Sequence, residues 1–400
     1  MTTLDSFSRD YLQLTLEIDK HIDGYVDAYY GPDDLKAEVN AASKREPAAL
    51  LADVASLQAR IPADNPARRN YLAATLRALD CSVRMLNGES FTYLDEVNRL
   101  FDISPQPVDE AEFLAAHNEL DTLLPGSGSI SERLNARRKR YMVANDQALR
   151  LLELARDEAR RRTKKLFDLP DDEDVKIELT RNQPWAAYNW YLGNGRSLIE
   201  FNTDTPISAL GLLSTFAHEG YPGHHTEAIL KEQILYHQKG YGEQAAALLQ
   251  CPGGVIAEGI ATTAVEIIFP NGTQYEWLLE LLLPAAQIQT DETADQMRRL
   301  AKTVNILRYV SGNAATLYHT GQLNQEQISD YYQTYALSTP QRAAQSFSFI
   351  SHPLYRAYVF TYTKGYDLIQ QATPTGDKAA LFKKLLTQQI LPSQLTNHQP

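Results

Sequence analysis

Cysteine is scarce in this 400-residue chain, which contains only Cys81 and Cys251. Two isolated cysteines form neither a disulfide framework nor a zinc-knuckle spacing, and they predict a reducing compartment. There is no basic excess. Lys and Arg number 38 against 50 Asp and Glu, a net charge of -12. That balance argues against a nucleic-acid surface and favours solubility. Long apolar runs are missing too. The most apolar stretch, 277–288, is interrupted by Glu280 and Pro284 and is too short to span a bilayer. The first residues lack a basic start followed by an apolar run, so no secretory signal is read there. Together these absences predict a cytoplasmic protein with neither nucleic-acid nor membrane partners. The remaining composition, 44% hydrophobic and 22% charged, is that of an ordinary globular protein.

Helical spacing dominates the first 165 residues. Helices are expected over about 5–20, 48–60, 67–85 and 109–124, with Pro62, Pro66, Gly126 and Gly128 marking breaks. Leu134, Met142, Leu149, Leu152 and Ala155 predict one long amphipathic helix over 131–165. It ends in the basic run Arg160-Arg161-Arg162-Thr163-Lys164-Lys165, which reads as a solvated helix C-terminus favoured by the macrodipole. An acidic stretch at 169–174 suggests a boundary, dividing the chain into an N-terminal helical part, 1–170, and a metal-bearing part, 171–400. Three strand patterns follow, at 175–180, 187–192 and 197–202. Gly193-Asn194-Gly195 is a turn signal between the last two. From residue 206 to about 386 the pattern is helical again.

The chemistry concentrates in Thr215-Phe216-Ala217-His218-Glu219-Gly220-Tyr221-Pro222-Gly223-His224-His225. Zinc favours imidazole and carboxylate ligands, and a catalytic site keeps one position open for water. The usual helical motif places two histidines four apart, with a glutamate beside the first. Here Pro222 occupies that fourth position. On an unbroken helix His224 would lie about 240° around the axis from His218, and His225 about 10 Å along it. Neither could share an ion with His218. Proline disrupts the helix and glycine tolerates the resulting path. If Pro222 and Gly223 loop out, His224 takes the missing position, so His224 is expected as ligand and His225 as a neighbour. The third ligand is expected on a second helix, in Ala257-Glu258-Gly259-Ile260-Ala261, which follows the helix start Pro252-Gly253-Gly254. An inward-facing Glu258 is costly unless paired or metal-bound.

His218 to His225 together with Glu258-Gly259-Ile260-Ala261 resembles the bacterial family called domain of unknown function 885. Its pattern is His-Glu-x-x-Pro-Gly-His followed by Glu-Gly-Trp-Ala, and it is grouped with zincin metallopeptidases that use glutamate as third ligand. Ile260 stands where the family commonly has tryptophan. The likeness continues more weakly into Thr361-Tyr362-Thr363-Lys364-Gly365, near a late Tyr-x-x-Gly segment, and spans roughly the C-terminal half. It implies a mainly α, zincin-like fold with a small antiparallel β-sheet bordering the cleft.

The expected function is zinc-dependent hydrolysis of a peptide or small amide substrate. One Zn2+ per chain is held by His218, His224 and Glu258, with Glu219 as general base. Tyr362, which matches the family's tyrosine, is expected to donate to the oxyanion. The strand 197–202, ending at Asn202, offers an edge on which an extended substrate could lie. Arg308 or Arg356 could bind a substrate carboxylate, with surface or structural ion pairing as the plainer role of each. Two rival functions share these motifs: a metal hydrolase of a non-peptide amide or ester, and a non-catalytic binding protein retaining the fold.

Overall fold

A computed structural model describes residues 4–183, 185–204, 206–373 and 377–396. The protein is mainly helical, with small sheets. Among the described residues there are five strands: β1 (Val26–Tyr29), β2 (Asp174–Thr180), β3 (Ala187–Gly193), β4 (Arg196–Asn202) and β5 (Ala246–Leu248). Five helices build the site region: α1 (Asn145–Thr163), α2 (Ala209–Glu219), α3 (His224–Lys231), α4 (Pro252–Ile268) and α5 (Val359–Ala372).

The N-terminal helices start where capping chemistry permits. The Asp5 side chain accepts from the Ser8 N–H at the head of Ser6–Asp19, and Asn65 accepts from Ala67 and Arg68 at the head of Pro66–Leu86. Their apolar faces meet in a core of Leu12, Leu16, Leu50, Leu72 and Leu76, to which Tyr236 and Cys251 also belong. A second core joins Phe101, Phe113 and Phe167 to Ile256, Val310 and Phe382. Residues from both sides of position 170 thus share both cores. Cys81 and Cys251 are buried and free. No helix among the described residues is long and apolar enough to cross a membrane.

The single helix expected over 131–165 is two helices, Ile130–Arg140 and α1. The break has a structural cause. The backbone at 141–143 leaves the helix to pair with the segment that leads into α2. The Val143 N–H donates to the Ile207 carbonyl and the Ala209 N–H donates to the Tyr141 carbonyl. Tyr141 is fully buried and its hydroxyl pairs with Thr290. The basic run at the end of α1 is locally neutralised: Arg160 pairs with Glu173, and Arg161 and Arg162 both pair with Glu158.

The three expected strands form one sheet in the order β2-β4-β3. The β3–β4 hairpin is antiparallel, with Asn194 at φ 53° in its turn. β2, however, lies parallel to β4, so the sheet is mixed rather than purely antiparallel. This places β4 in the centre. The segment expected to offer a free edge is paired on both sides, and the edges are β2 and β3. A second, unexpected sheet pairs β1 with β5, Val26 opposite Leu248.

Helices α4 and α5 cross at two glycines. A Cβ at Gly259 would lie 2.7 Å from the Gly365 carbonyl oxygen, and one at Gly365 would lie 2.4 Å from the Val255 oxygen and 2.6 Å from the Gly259 nitrogen. Only a glycine pair allows this approach. It brings Glu258 on α4 against the start of α5. Gly365→Ala is therefore expected to cost about 1–3 kcal/mol through overpacking. Denaturant unfolding checks this, and an unchanged midpoint would show that the helices have room to separate.

Candidate metal centre

α2 ends at Glu219, and the backbone turns back through Gly220-Tyr221-Pro222-Gly223 before α3 begins at His224. The Tyr221–Pro222 peptide is cis. The Gly223 N–H donates to the Ala217 carbonyl at 3.0 Å. A Cβ on Gly223 would fall 1.9 Å from the His218 carbonyl oxygen and 2.4 Å from that of Ala217. The backbone therefore folds onto the last turn of α2, at a distance no side chain permits. This return brings the His218 and His224 rings together, perpendicular and with centroids 4.8 Å apart.

Glu258 meets both histidines. Its Oε2 is 3.4 Å from His218 Nε2, and its Oε1 is 3.7 Å from His224 Nε2. The Tyr358 hydroxyl donates to Oε1 at 2.6 Å. Glu219 is also close: one ligand atom each from His218, Glu219 and His224 lies within 4.8 Å of the others. Of the two carboxylates, Glu258 has both oxygens facing imidazole nitrogens, and its buried Oε2 has no hydrogen-bond partner among the described residues. An orphaned carboxylate oxygen beside two imidazoles is what a cation would satisfy. Two imidazoles, one carboxylate and a fourth side left to water suit a catalytic zinc, although other divalent ions accept such donors.

The electrostatics separate the two acids. Burial pushes the Glu219 carboxyl up to about 7, with Glu258 and Asp27 adding to the rise and His224 opposing it. Burial also raises Glu258, offset by His224 and the Tyr358 hydrogen bond. His218 is driven well below its ordinary value by burial, reinforced by the neighbouring His224. Burial alone would lower His224 too, but Glu258 and Glu219 outweigh it and leave it raised. Each histidine side chain keeps a fifth to a quarter of its surface open, 20% and 25%, so solvent reaches the site.

His225 points away from the ion position. It is fully buried, with Nδ1 2.7 Å from Ser197 Oγ and Nε2 3.3 Å from Glu173 Oε2. The same Glu173 oxygen accepts from the Tyr221 hydroxyl, and Oε1 pairs with Arg160. Glu173 thus ties the returning loop to the sheet and to α1. It went unnoticed in the acidic stretch 169–174, where a functional carboxylate has no local signature. Asp27 was missed for the same kind of reason. It lies on β1, bonded by the Tyr188 hydroxyl, and its charge acts on His224. Asn189 on β3 donates to the Glu219 carbonyl at 2.7 Å, holding that strand against the end of α2.

Tyr362 stands over His218, the two rings 6.4 Å apart and nearly parallel. No hydrogen bond engages its hydroxyl among the described residues. Burial, then the charges of Glu258 and Glu219, hold its proton on well above the ordinary value. Two other expected residues are committed elsewhere. Asn202 donates to the Gln183 and Trp185 carbonyls and accepts from the Asp204 N–H, so it ties a loop rather than offering a substrate contact. Arg356 forks onto the buried Glu96 at 2.8 and 2.6 Å, so its guanidinium is not free for a ligand carboxylate. Among the remaining acids, Glu227 pairs with Lys231, and Glu266 accepts from Tyr366 and Gln370, joining α4 to α5. His21 and His117 meet backbone carbonyls, and His398 lies outside the described residues.

No family model matches the chain, so the likeness to domain of unknown function 885 rests on the quoted motifs alone. No curated protein matches it either. Solved structures do. One is "the putative lipoprotein from Colwellia psychrerythraea", at a TM-score of 0.56 and 14% identity over 86% of this chain. This chain spans 65% of that protein's length. A second is "a putative lipoprotein of unknown function from Shewanella oneidensis", at 0.51 and 14%, covering 98% of this chain and 73% of that one. An M32 carboxypeptidase from Deinococcus radiodurans R1 aligns at only 0.35 and 10%, over 95% and 88% of the two chains. The first two share the overall fold. Both of those proteins are described as lipoproteins, a membrane-anchored or secreted class, and that finding overturns the cytoplasmic expectation. Scarce cysteine was a weak guide, because a protein with a large core needs no disulfides in any compartment. These features define a mainly helical protein with a partly buried His/Glu site fit for a metal ion.

Three substitutions test the ligand set and separate the carboxylates. Glu258→Gln and His224→Ala are each expected to abolish stoichiometric metal, while Glu219→Gln retains about one ion per chain. Elemental analysis of the purified variants decides it. Retention by Glu258→Gln with loss by Glu219→Gln would reverse the two roles.

Proposed function

We propose that the protein hydrolyses peptide or closely related amide bonds at a zinc ion held by His218, His224 and Glu258. The reading is carried by two buried carboxyls in different circumstances. Glu258 faces both imidazoles and is fixed by Tyr358. Glu219 is adjacent, has no side-chain hydrogen bond among the described residues, and has its pKa raised to about 7. Carboxyls whose environments differ in this way serve different roles.

When bound, zinc supplies a water of lowered pKa and polarises the scissile carbonyl. Glu219 takes the proton from the attacking water and delivers it to the leaving nitrogen. Its place beside the ion position, with no side-chain hydrogen bond to hold it among the described residues, suits both transfers. The Tyr362 hydroxyl, over His218 and unengaged, donates to the oxygen that gains charge. The substrate backbone lies along β3. The Asn202 N–H donates to the Ala186 carbonyl, and strand hydrogen bonds alternate sides. The backbone groups of Ala187 and Asn189 therefore face outward, on the edge that Asn189 pins to the end of α2. An added strand there is held through its main chain and leaves its side chains free.

Kinetics of two variants test these roles. With zinc restored, Glu219→Gln is expected to lower kcat by about 10²–10⁴-fold on a cleaved peptide. Near-normal turnover would remove Glu219 from the mechanism. Tyr362→Phe removes only the hydroxyl and should lower kcat roughly ten- to hundredfold, the smaller part of what an oxyanion donor contributes. An unchanged rate would leave Tyr362 with a packing role. A zinc-loaded digest of a peptide library tests the substrate class: no cleavage, with hydrolysis of simple esters or non-peptide amides, would assign the site to that chemistry instead.

A further inference from the structure

Beyond Tyr362 lies a cavity of about 390 Å³, walled in part by Arg308, Ser311, Gln345, Ser346, Phe349 and Tyr362 itself. Tyr362 is common to the cavity and to the metal centre, since its other neighbour is the His218 ring. Arg308 is the cationic residue of this wall. Its guanidinium carbon lies 4.2 Å from the centroid of the Tyr366 ring and 5.5 Å from that of Tyr309. Its Nε is buried and has no acceptor. No carboxylate pairs with it among the described residues. Asp367 accepts from the Tyr309 hydroxyl and pairs with Lys364.

Other sheltered arginines of the chain are treated differently. Arg68 forks onto Glu243, Arg137 onto Glu292, and Arg356 onto Glu96. A guanidinium matches a carboxylate through a planar fork, and only Arg308 of these four has no acid to fill it. The two aromatic faces fix its orientation, which lowers the ordering cost of binding. Ser311, Gln345 and Ser346 supply further donors, and Phe349, Ile350 and Val359 supply apolar wall for a side chain.

We infer that Arg308 receives the α-carboxylate of the substrate's terminal residue, so that peptides with a free C-terminus are preferred. This rests on the peptidase reading for the reaction, but not for the binding site itself. The site prefers an acid with an apolar side chain, and Arg308 selects it by charge and fork geometry.

The probe is N-acetyl-phenylalanine, compared with its amide by calorimetry on the full chain, for the wild type, Arg308→Gln and Arg308→Lys. Thermal unfolding of each variant checks that it is folded. The acid should bind wild type at least about tenfold more tightly than the amide, as expected for a hydrogen bond to a charged group. Arg308→Gln should lose that preference, and Arg308→Lys should keep part of it, having charge without the fork. Equal binding of acid and amide by wild type, binding of neither, or an undiminished preference in folded Arg308→Gln overturns the inference. The wild-type comparison decides the matter even if Arg308→Gln fails to fold. Cleavage assays then separate the two readings. Equal turnover of a free-acid peptide and its C-terminal amide overturns the inference while the peptidase reading stands. A calorimetric preference for the acid without cleavage of any peptide supports the carboxylate site and removes the peptidase reading.

Discussion

The backbone of Gly223 lies against the carbonyls of Ala217 and His218, and the arrangement of the metal centre depends on that contact. A helix continuing past Glu219 would carry His224 to a different face. The return at Gly223 cancels the extra two residues and sets the imidazoles 4.8 Å apart at right angles. The loop does not hold this path alone. Tyr221 and His225 on either side of it both reach Glu173, which Arg160 also grips. Burying so many polar groups is costly unless each finds a partner. Here they partner one another, and the network braces the turn from below.

The second half of the site comes from a close helix crossing. Gly259 follows Glu258 directly, and Gly365 lies one turn beyond Tyr362. Each glycine exists to admit the other's backbone. The crossing sets Tyr358 within 2.6 Å of Glu258 and places Tyr362 over His218. Glu258, the hydroxyl that orients it and the unengaged tyrosine are therefore positioned by one contact between α4 and α5. Two steric constraints on glycine, at 223 and at 259 with 365, assemble most of the chemistry.

Much of this was legible in the sequence because it is local. The displacement of His224 by two residues follows from helix geometry and the Pro222-Gly223 pair. The N-terminal helices and the β3–β4 hairpin follow from apolar period and turn residues. What was not legible depends on distant pairing. Val26 meets Leu248 across the chain, so the strand bearing Asp27 had no signature near residue 27. The parallel placement of β2 beside β4 changed which strand is an edge, a matter of topology rather than of strand pattern. Met142 and its neighbours fit a continuous helix, and only their pairing with 207–209 breaks it. Arg356 and Arg308 look alike in sequence; Glu96, far upstream, occupies one and leaves the other open. The cytoplasmic expectation failed because composition reports poorly on compartment.

The central claim is that the returning turn gives one ion the imidazoles of His218 and His224 together with Glu258, while Glu219 stays outside its shell. Anomalous diffraction at the zinc edge from crystals of the zinc-loaded protein tests it most directly. The account predicts one anomalous peak per chain within bonding distance of His218 Nε2, His224 Nε2 and a Glu258 oxygen, with Glu219 beyond ligand reach. A peak bonded to Glu219 or His225 in place of Glu258 or His224 would contradict it.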